Sequence, residues 1–245
     1  MEDDTETGLP ASIEAAWGVR RRPRKGPKPG LDLDRIVSAA VKVAASEGIG
    51  AVSMSRVASE LGSSAMSLYR YVAAKDELLA LMVDAAFDAP LAPAPEGEGW
   101  RAGMTRWAWT YHDALRRHPW VLRVPISGPP VTPNATAWLE DGLRALGGTG
   151  LAEGEKLSVI LLVSGYVRNE ATLSADIAAA TAGPIMPAWS RQLARLTDAE
   201  RFPALHAALA SGVFDQDDDP DDEFTFGLER VLDGIEALVV SRTSL

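Results

Sequence analysis

Ser53-Met54-Ser55-Arg56-Val57-Ala58-Ser59-Glu60-Leu61-Gly62-Ser63-Ser64-Ala65-Met66-Ser67-Leu68-Tyr69-Arg70-Tyr71-Val72-Ala73-Ala74-Lys75-Asp76-Glu77-Leu78-Leu79 reads as a short helix, a tight turn, a second short helix and the start of a third. Ser53 suits the N-cap of the first helix, with Val57, Ala58 and Leu61 as its inward residues. Gly62 follows at once, as a left-handed residue closing a helix does. Ser64 suits the cap of the next helix, expected over Ala65 to Tyr71. Two helices joined by a short turn containing Gly form a helix-turn-helix, whose second helix fits the DNA major groove. The alternative on spacing alone is an ordinary αα-hairpin, with Tyr69 and Tyr71 as packing residues.

Working outward, Asp32 or Asp34 is expected to cap a helix running to about Glu47 and ending at Gly48, with Ile36, Ala40, Val43 and Ala44 as its buried stripe. On the other side, Lys75 opens a helix that carries Asp76 and Glu77 in its first turn and runs to about Phe87. Lys75 then sits beside exposed backbone N–H groups, a natural place to clamp a phosphate. Ahead of the motif, Arg20-Arg21-Arg22-Pro23-Arg24-Lys25-Gly26-Pro27-Lys28-Pro29-Gly30 has cations, prolines and glycines but no acids. Such an arm lies along phosphates or enters the minor groove; the alternative is a solubilising tail. Residues 1–18 are acidic and aperiodic and are expected to be disordered, with Trp17 either a stray aromatic or docked on the body.

The same stretch resembles the TetR family of bacterial transcription regulators. The resemblance rests on Ala58, Leu61-Gly62, the Leu68-Tyr69-x-Tyr71-Val72 run, Lys75 and Leu78-Leu79, within Leu33 to Asp84. Tyr71 stands where many members have His, Val72 where most have Phe, and Ser55 where a charged residue is usual. The resemblance implies a homodimer reading double-stranded operator DNA. Ala65, Met66 and Ser67 would face base edges, with Ser55 and Ser64 at the same surface. Ser53, Arg56, Tyr69, Tyr71 and Lys75 would hold the phosphate backbone, helped by Arg21, Arg22, Arg24 and Lys25 of the arm. Arg70 would serve either role.

Charge placement agrees with a DNA-binding head. The chain of 245 residues has a net charge of −10, yet Val19 to Lys75 holds 11 Lys/Arg against 4 Asp/Glu, a net of +7 that leaves −17 on the rest. There is no cysteine, so disulfides and thiolate metal sites are excluded. The acidic start lacks the apolar core of a signal peptide, and no apolar run approaches a membrane span. A soluble cytoplasmic protein with no membrane partner is expected.

Beyond the Pro/Gly/Ala connector at residues 89–99 everything reads helical. Helices are expected over Trp100–Arg117, Asn134–Leu146, Glu153–Ala180, Pro187–Leu196 and Phe224–Val240, with Thr197-Asp198-Ala199-Glu200 as a capping box for one ending at Ala210. The expected organisation is all-α: a disordered arm over 1–30, a three-helix helix-turn-helix domain over 31–80, and a helical effector-binding and dimerisation domain over 81–245. No nucleophile elbow, phosphate loop or metal-ligand pattern is present, so neither enzyme activity nor a metal or cofactor is expected. His112, His118 and His206 are expected at the surface or at helix ends.

Aromatics at helical spacing are ordinarily core, but seven tryptophans in an Ala-rich chain also suit a cavity lined by flat rings. The final run Phe226 to Ile235, with His118-Pro119-Trp120, resembles the tetracycline-repressor-type C-terminal class. That resemblance implies a small-molecule effector in a central pocket, here mapped to Trp107, Tyr111, Trp120, Trp138, Tyr166, Asn169 and Glu170. It also implies dimerisation through the Glu153–Ala180 and Phe224–Val240 helices. A ligand-responsive repressor is the resulting expectation; a regulator or architectural DNA-binding protein without an effector is the alternative.

Overall fold

The computed structural model describes residues 8–19, 31–88, 94–126, 128–180, 185–215 and 221–243. Eleven α-helices and no strands are found among these described residues. They are α1 (Ala11–Ala16), α2 (Leu33–Glu47), α3 (Met54–Glu60), α4 (Ala65–Leu68), α5 (Lys75–Ala86) and α6 (Trp100–Arg117). Next come α7 (Pro133–Ala145), α8 (Glu153–Ala180), α9 (Ile185–Leu196), α10 (Pro203–Ala210) and α11 (Asp222–Thr243). None is long and apolar enough to cross a membrane.

The head forms where local signals are strongest. Asp32 caps α2 by accepting the Arg35 N–H at 2.9 Å, and Gly48 ends it at φ 83°. Such a backbone angle is costly for any residue with a Cβ. The Ser53 hydroxyl accepts the Arg56 N–H at 3.1 Å to start α3, and Gly62 turns the chain at φ 61°. Ile36, Ala40, Val43, Val57, Leu68, Val72 and Leu78 then close a small core with almost no exposure. It holds α2, α3, α4 and α5 together as one packed unit.

Three local expectations do not hold. α4 stops at Leu68, with Tyr69 to Tyr71 in a turn, and Ser64 makes no capping bond; its hydroxyl lies 2.9 Å from the Ser67 hydroxyl instead. Two neighbouring hydroxyls compete with the backbone here. Residues 11–16, expected to be disordered, form α1, because Ile13 buries itself against the core at 3 % exposure. Trp17 follows by donating its indole N–H to the Val131 carbonyl at 2.8 Å. The Thr197–Glu200 box does not open a helix: Asp198 accepts the Arg201 N–H at 2.7 Å, but α10 begins at Pro203. Proline is favoured at a first helical position, where its missing N–H costs nothing.

In the body, α6 lies against α7 and α8, and α11 packs on both α6 and α8. Phe224, Leu228, Leu232 and Ile235 of α11 face inward with Val159, Val163 and Val167 of α8. α5 packs against α2 at its head end and against α7 of the body. It is the element shared by both halves.

Candidate DNA-binding and effector sites

The helix-turn-helix presents a small exposed face. Met66 stands out at 74 % exposure and Tyr69 at 46 %, with Arg70, Ser53, Ser55 and Ser64 also exposed and Ala65 and Ser67 half-buried. Leu68, between them, is fully buried and fixes how this face is offered. Lys75 is exposed in the first turn of α5, where unpaired N–H groups and the helix dipole favour an anion.

Two residues expected on phosphates are held by the protein itself. The Arg56 guanidinium bridges Glu47 and Glu60, donating to Glu60 at 3.1 Å and more closely to Glu47. Those hydrogen bonds hold the Arg56 pKa above its ordinary value. Lys42, with the Arg56 fork, holds Glu60 below the usual carboxylate range. The Tyr71 hydroxyl donates to the Leu31 carbonyl at 2.8 Å, so this ring ties the end of the recognition segment to the entry of α2. Arg21, Arg22, Arg24 and Lys25 lie outside the described residues.

The residues grouped as a pocket separate into three places. Trp107, Tyr111 and Trp138 meet with Phe87, at ring-centroid distances of 5.5 to 6.1 Å. Each indole is satisfied: Trp107 donates to the Trp138 carbonyl at 2.9 Å and Trp138 to the Phe87 carbonyl at 3.2 Å. The end of α5 thereby enters the aromatic cluster of α6 and α7. Gly142 packs closely beside it: a Cβ there would make the tip of Ile160 shift and would press on the Trp107 ring.

The second place is built around Phe224. His112 stacks on it at 4.1 Å, Trp109 meets it edge-on at 4.6 Å, and Tyr166 stacks at 5.6 Å. Tyr166 donates its hydroxyl to the Phe224 carbonyl at 2.9 Å, and burial, with Glu170 and Glu223 nearby, raises its pKa. His112 Nε2 lies 2.6 Å from Glu170 Oε2. His112, expected at the surface or at a helix end, lies within α6 at 3 % exposure, because this pairing with α8 and the Phe224 stack draw it inward.

Trp120 forms the third place, in the single turn Pro119–Arg123, buried and 6.1 Å from the His118 ring. His118 keeps to the helix end as expected, half-buried, with its pKa lowered by burial and by Arg117, against an opposing pull from Asp88. Asn169 is exposed and joins none of these groups. Sequence reasoning missed Phe87, Trp109, His112 and Phe224. His112 and Glu170 are 58 residues apart, so no local spacing could have paired them.

On the outside of the body, α8 exposes Leu157, Leu161, Leu162, Leu173 and Ile177, and α11 exposes Phe226 and Val240. Between the two helices runs a groove of about 490 Å³, lined by Ser158, Leu162, Val231, Ile235 and Leu238 among others. Exposed apolar side chains clustered on two neighbouring helices are the kind of patch through which proteins associate.

Comparison with known proteins agrees with this division of labour. Residues 36–82 match the model for bacterial regulatory proteins of the tetR family, and residues 92–239 match the tetracyclin repressor-like C-terminal domain. The chain is 40 % identical, over 94 % of its length and 87 % of the relative's, to the HTH-type transcriptional repressor DrrR1 of Streptomyces coeruleorubidus. It is 33 % identical to an HTH-type transcriptional regulator of Saccharopolyspora erythraea, over 66 % of this chain and 67 % of that one. Among solved structures, apo ActR from Streptomyces coelicolor superposes with a TM-score of 0.74 at 26 % identity, covering 88 % of this chain and 99 % of ActR. ActR in complex with actinorhodin superposes with a TM-score of 0.74 at 29 % identity, over 87 % of this chain and 99 % of ActR. The helix-turn-helix head and the helical body are thus those of a DNA-binding transcription regulator, and the chain belongs to the TetR family.

Proposed function

We propose that this protein is a homodimeric repressor released from its operator by a small aromatic effector, and that it is not an enzyme. The observation that carries this reading is the path of α5, which runs from Lys75 at the head's exposed face to Phe87 inside the aromatic cluster of the body. An effector that repacks those rings moves the C-terminal end of the helix whose N-terminal end meets DNA. The repressor named DrrR1 and the ActR complex with actinorhodin support both halves of the reading.

The division follows: a basic arm over residues 20–30, a DNA-binding unit over 31–80, and an effector and dimerisation unit over 81–245, with α5 crossing the boundary and α1 packed against α5. On DNA, Ala65, Met66 and Ser67 face base edges, where apolar contacts suit thymine methyls and the hydroxyl accepts either base type. Ser53, Tyr69 and Lys75 hold phosphates, while Arg56 and Tyr71 brace the motif from behind. The exposed strip on α8 and α11 pairs with its copy, setting two heads about 34–36 Å apart for successive major grooves.

The test is fluorescence anisotropy on DNA flanking the protein's own gene at two salt concentrations, followed by a panel of aromatic compounds. Tight, salt-sensitive binding released by a compound is the expected result. Specific binding that no compound disturbs would favour a regulator without an effector.

A further inference from the structure

Nearly all buried polar atoms in a folded chain find a hydrogen-bond partner. Among the described residues, two buried side-chain nitrogens have none: Nδ1 of His112 and Nε1 of Trp120. They stand in two neighbouring groups of the body. His112 stands on α6 and reaches Glu170 on α8, and the turn carrying Trp120 packs against both α6 and α8.

Glu170 decides what His112 offers. An ionised carboxylate only accepts, so the 2.6 Å contact places a ring proton on Nε2. Nδ1 is then a lone pair in the neutral ring or an N–H in the imidazolium. The pairing with Glu170 and the stack on Phe224, at 4.1 Å and 15°, account for Nε2 and the ring face, and Nδ1 is the one polar atom of this ring they leave unsatisfied. A buried polar atom left unpaired costs stability, so Nδ1 has a use beyond packing.

We propose that His112 Nδ1 is the hydrogen-bonding anchor for the effector, and that the effector is a flat aromatic molecule carrying a hydroxyl group. This rests on the reading of the body as effector-binding. A hydroxyl satisfies Nδ1 in either protonation state, donating to the lone pair or accepting from the N–H. A bare carbonyl serves only the cation, and an ether has no hydrogen to give the neutral ring. Flatness follows from the walls: Phe224 covers the imidazole face, and Trp109 meets its edge at 5.6 Å and 90°. Trp120 Nε1 is a donor only, and gives its hydrogen to an oxygen of the bound molecule. Glu170 is the more exposed of the pair, its side chain 17 % exposed against 3 % for that of His112.

The test is calorimetric titration of the full chain with naphthol and phenanthrol, each beside its methyl ether and its parent hydrocarbon. The hydroxyl forms are expected to bind about ten-fold tighter than either control. That preference should vanish in His112→Phe/Glu170→Leu, which removes both partners so that neither is left buried alone, and persist in Asn169→Ala. Trp120→Phe should weaken binding of the hydroxyl forms while keeping the ring. A melting transition establishes that the double variant is folded; if it is not, the wild-type comparison decides by itself. Binding indifferent to the hydroxyl, or a preference that survives in the folded double variant, would overturn the anchor and leave the effector reading standing. Failure of every compound to bind would count against the effector reading and the anchor together.

Discussion

The carboxylate of Asp84, late in α5, accepts the backbone N–H of Ala135 in the first turn of α7 at 3.0 Å. The helix that starts at the DNA face thus supplies the N-terminal cap of a body helix, a service that Thr132 at the cap position does not perform with its side chain. Asn134 returns a bond from its amide to the Asp84 carbonyl at 3.0 Å, and the Trp138 indole to the Phe87 carbonyl reinforces the joint. Asp84 is 7 % exposed, so these bonds are shielded from competing water. Head and body are joined by directed bonds as well as by contact.

Asp84→Ala should therefore loosen that joint. Loss of a helix cap and a buried acceptor is worth about 1–2 kcal/mol, or roughly 2–8 °C in melting temperature for a chain of this size. Effector-driven release from the operator should weaken more than operator affinity does. A variant that melts as expected yet releases DNA with wild-type sensitivity would remove this joint from the signalling path.

Lys75 and Ser67 are expected to fail differently. Lys75→Ala should weaken binding about equally across operator sequences and reduce the salt slope by about one. Ser67→Ala should change base preference and leave the slope alone. Anisotropy at several salt concentrations separates the two; an unchanged slope in Lys75→Ala would contradict the phosphate contact.

The apolar strip makes a prediction about assembly. Leu161 is 75 % exposed on α8, so Leu161→Glu should leave the folded subunit within about 0.5 kcal/mol of wild type. In a dimer interface the same charge is buried and unpaired, and sedimentation should report monomers that bind operator poorly. A stable dimer in this variant would place the interface elsewhere.

Acid should weaken the fold through His118. Burial, then Arg117, lowers its folded pKa, against Asp88. Above the unfolded value of about 6.5 both states are neutral and nothing is lost. As pH falls below it the unfolded chain takes the proton first, so stability declines with acidification. His118→Gln should flatten the dependence of urea midpoint on pH just below 6.5; an unaltered slope would contradict the assignment.

Much of the architecture was legible because it is written locally. Asp32, Gly48, Ser53 and Gly62 act within a few residues of themselves, and each does what its type prescribes. What escaped depends on distant partners. α1 hid in an acidic, aperiodic segment because distant partners hold it: the core around Ile13, Glu77 for the Ser12 hydroxyl, and the Val131 carbonyl for Trp17, 114 residues away. Arg56 looked free for phosphate until Glu47 was brought beside it, and Tyr71 until Leu31 was. The aromatic positions fall into three groups and not one, since periodicity gives a face and not the neighbour across it.

The central claim is that effector and operator bias the same two states of one dimer. Their coupling must then be reciprocal: if a compound weakens operator affinity by some factor, operator DNA must weaken that compound's affinity by the same factor. Titrating the releasing compound into the free protein and into the protein saturated with operator measures this directly. Equal factors are the predicted result. A compound that releases the operator yet binds both forms with the same affinity would contradict the account.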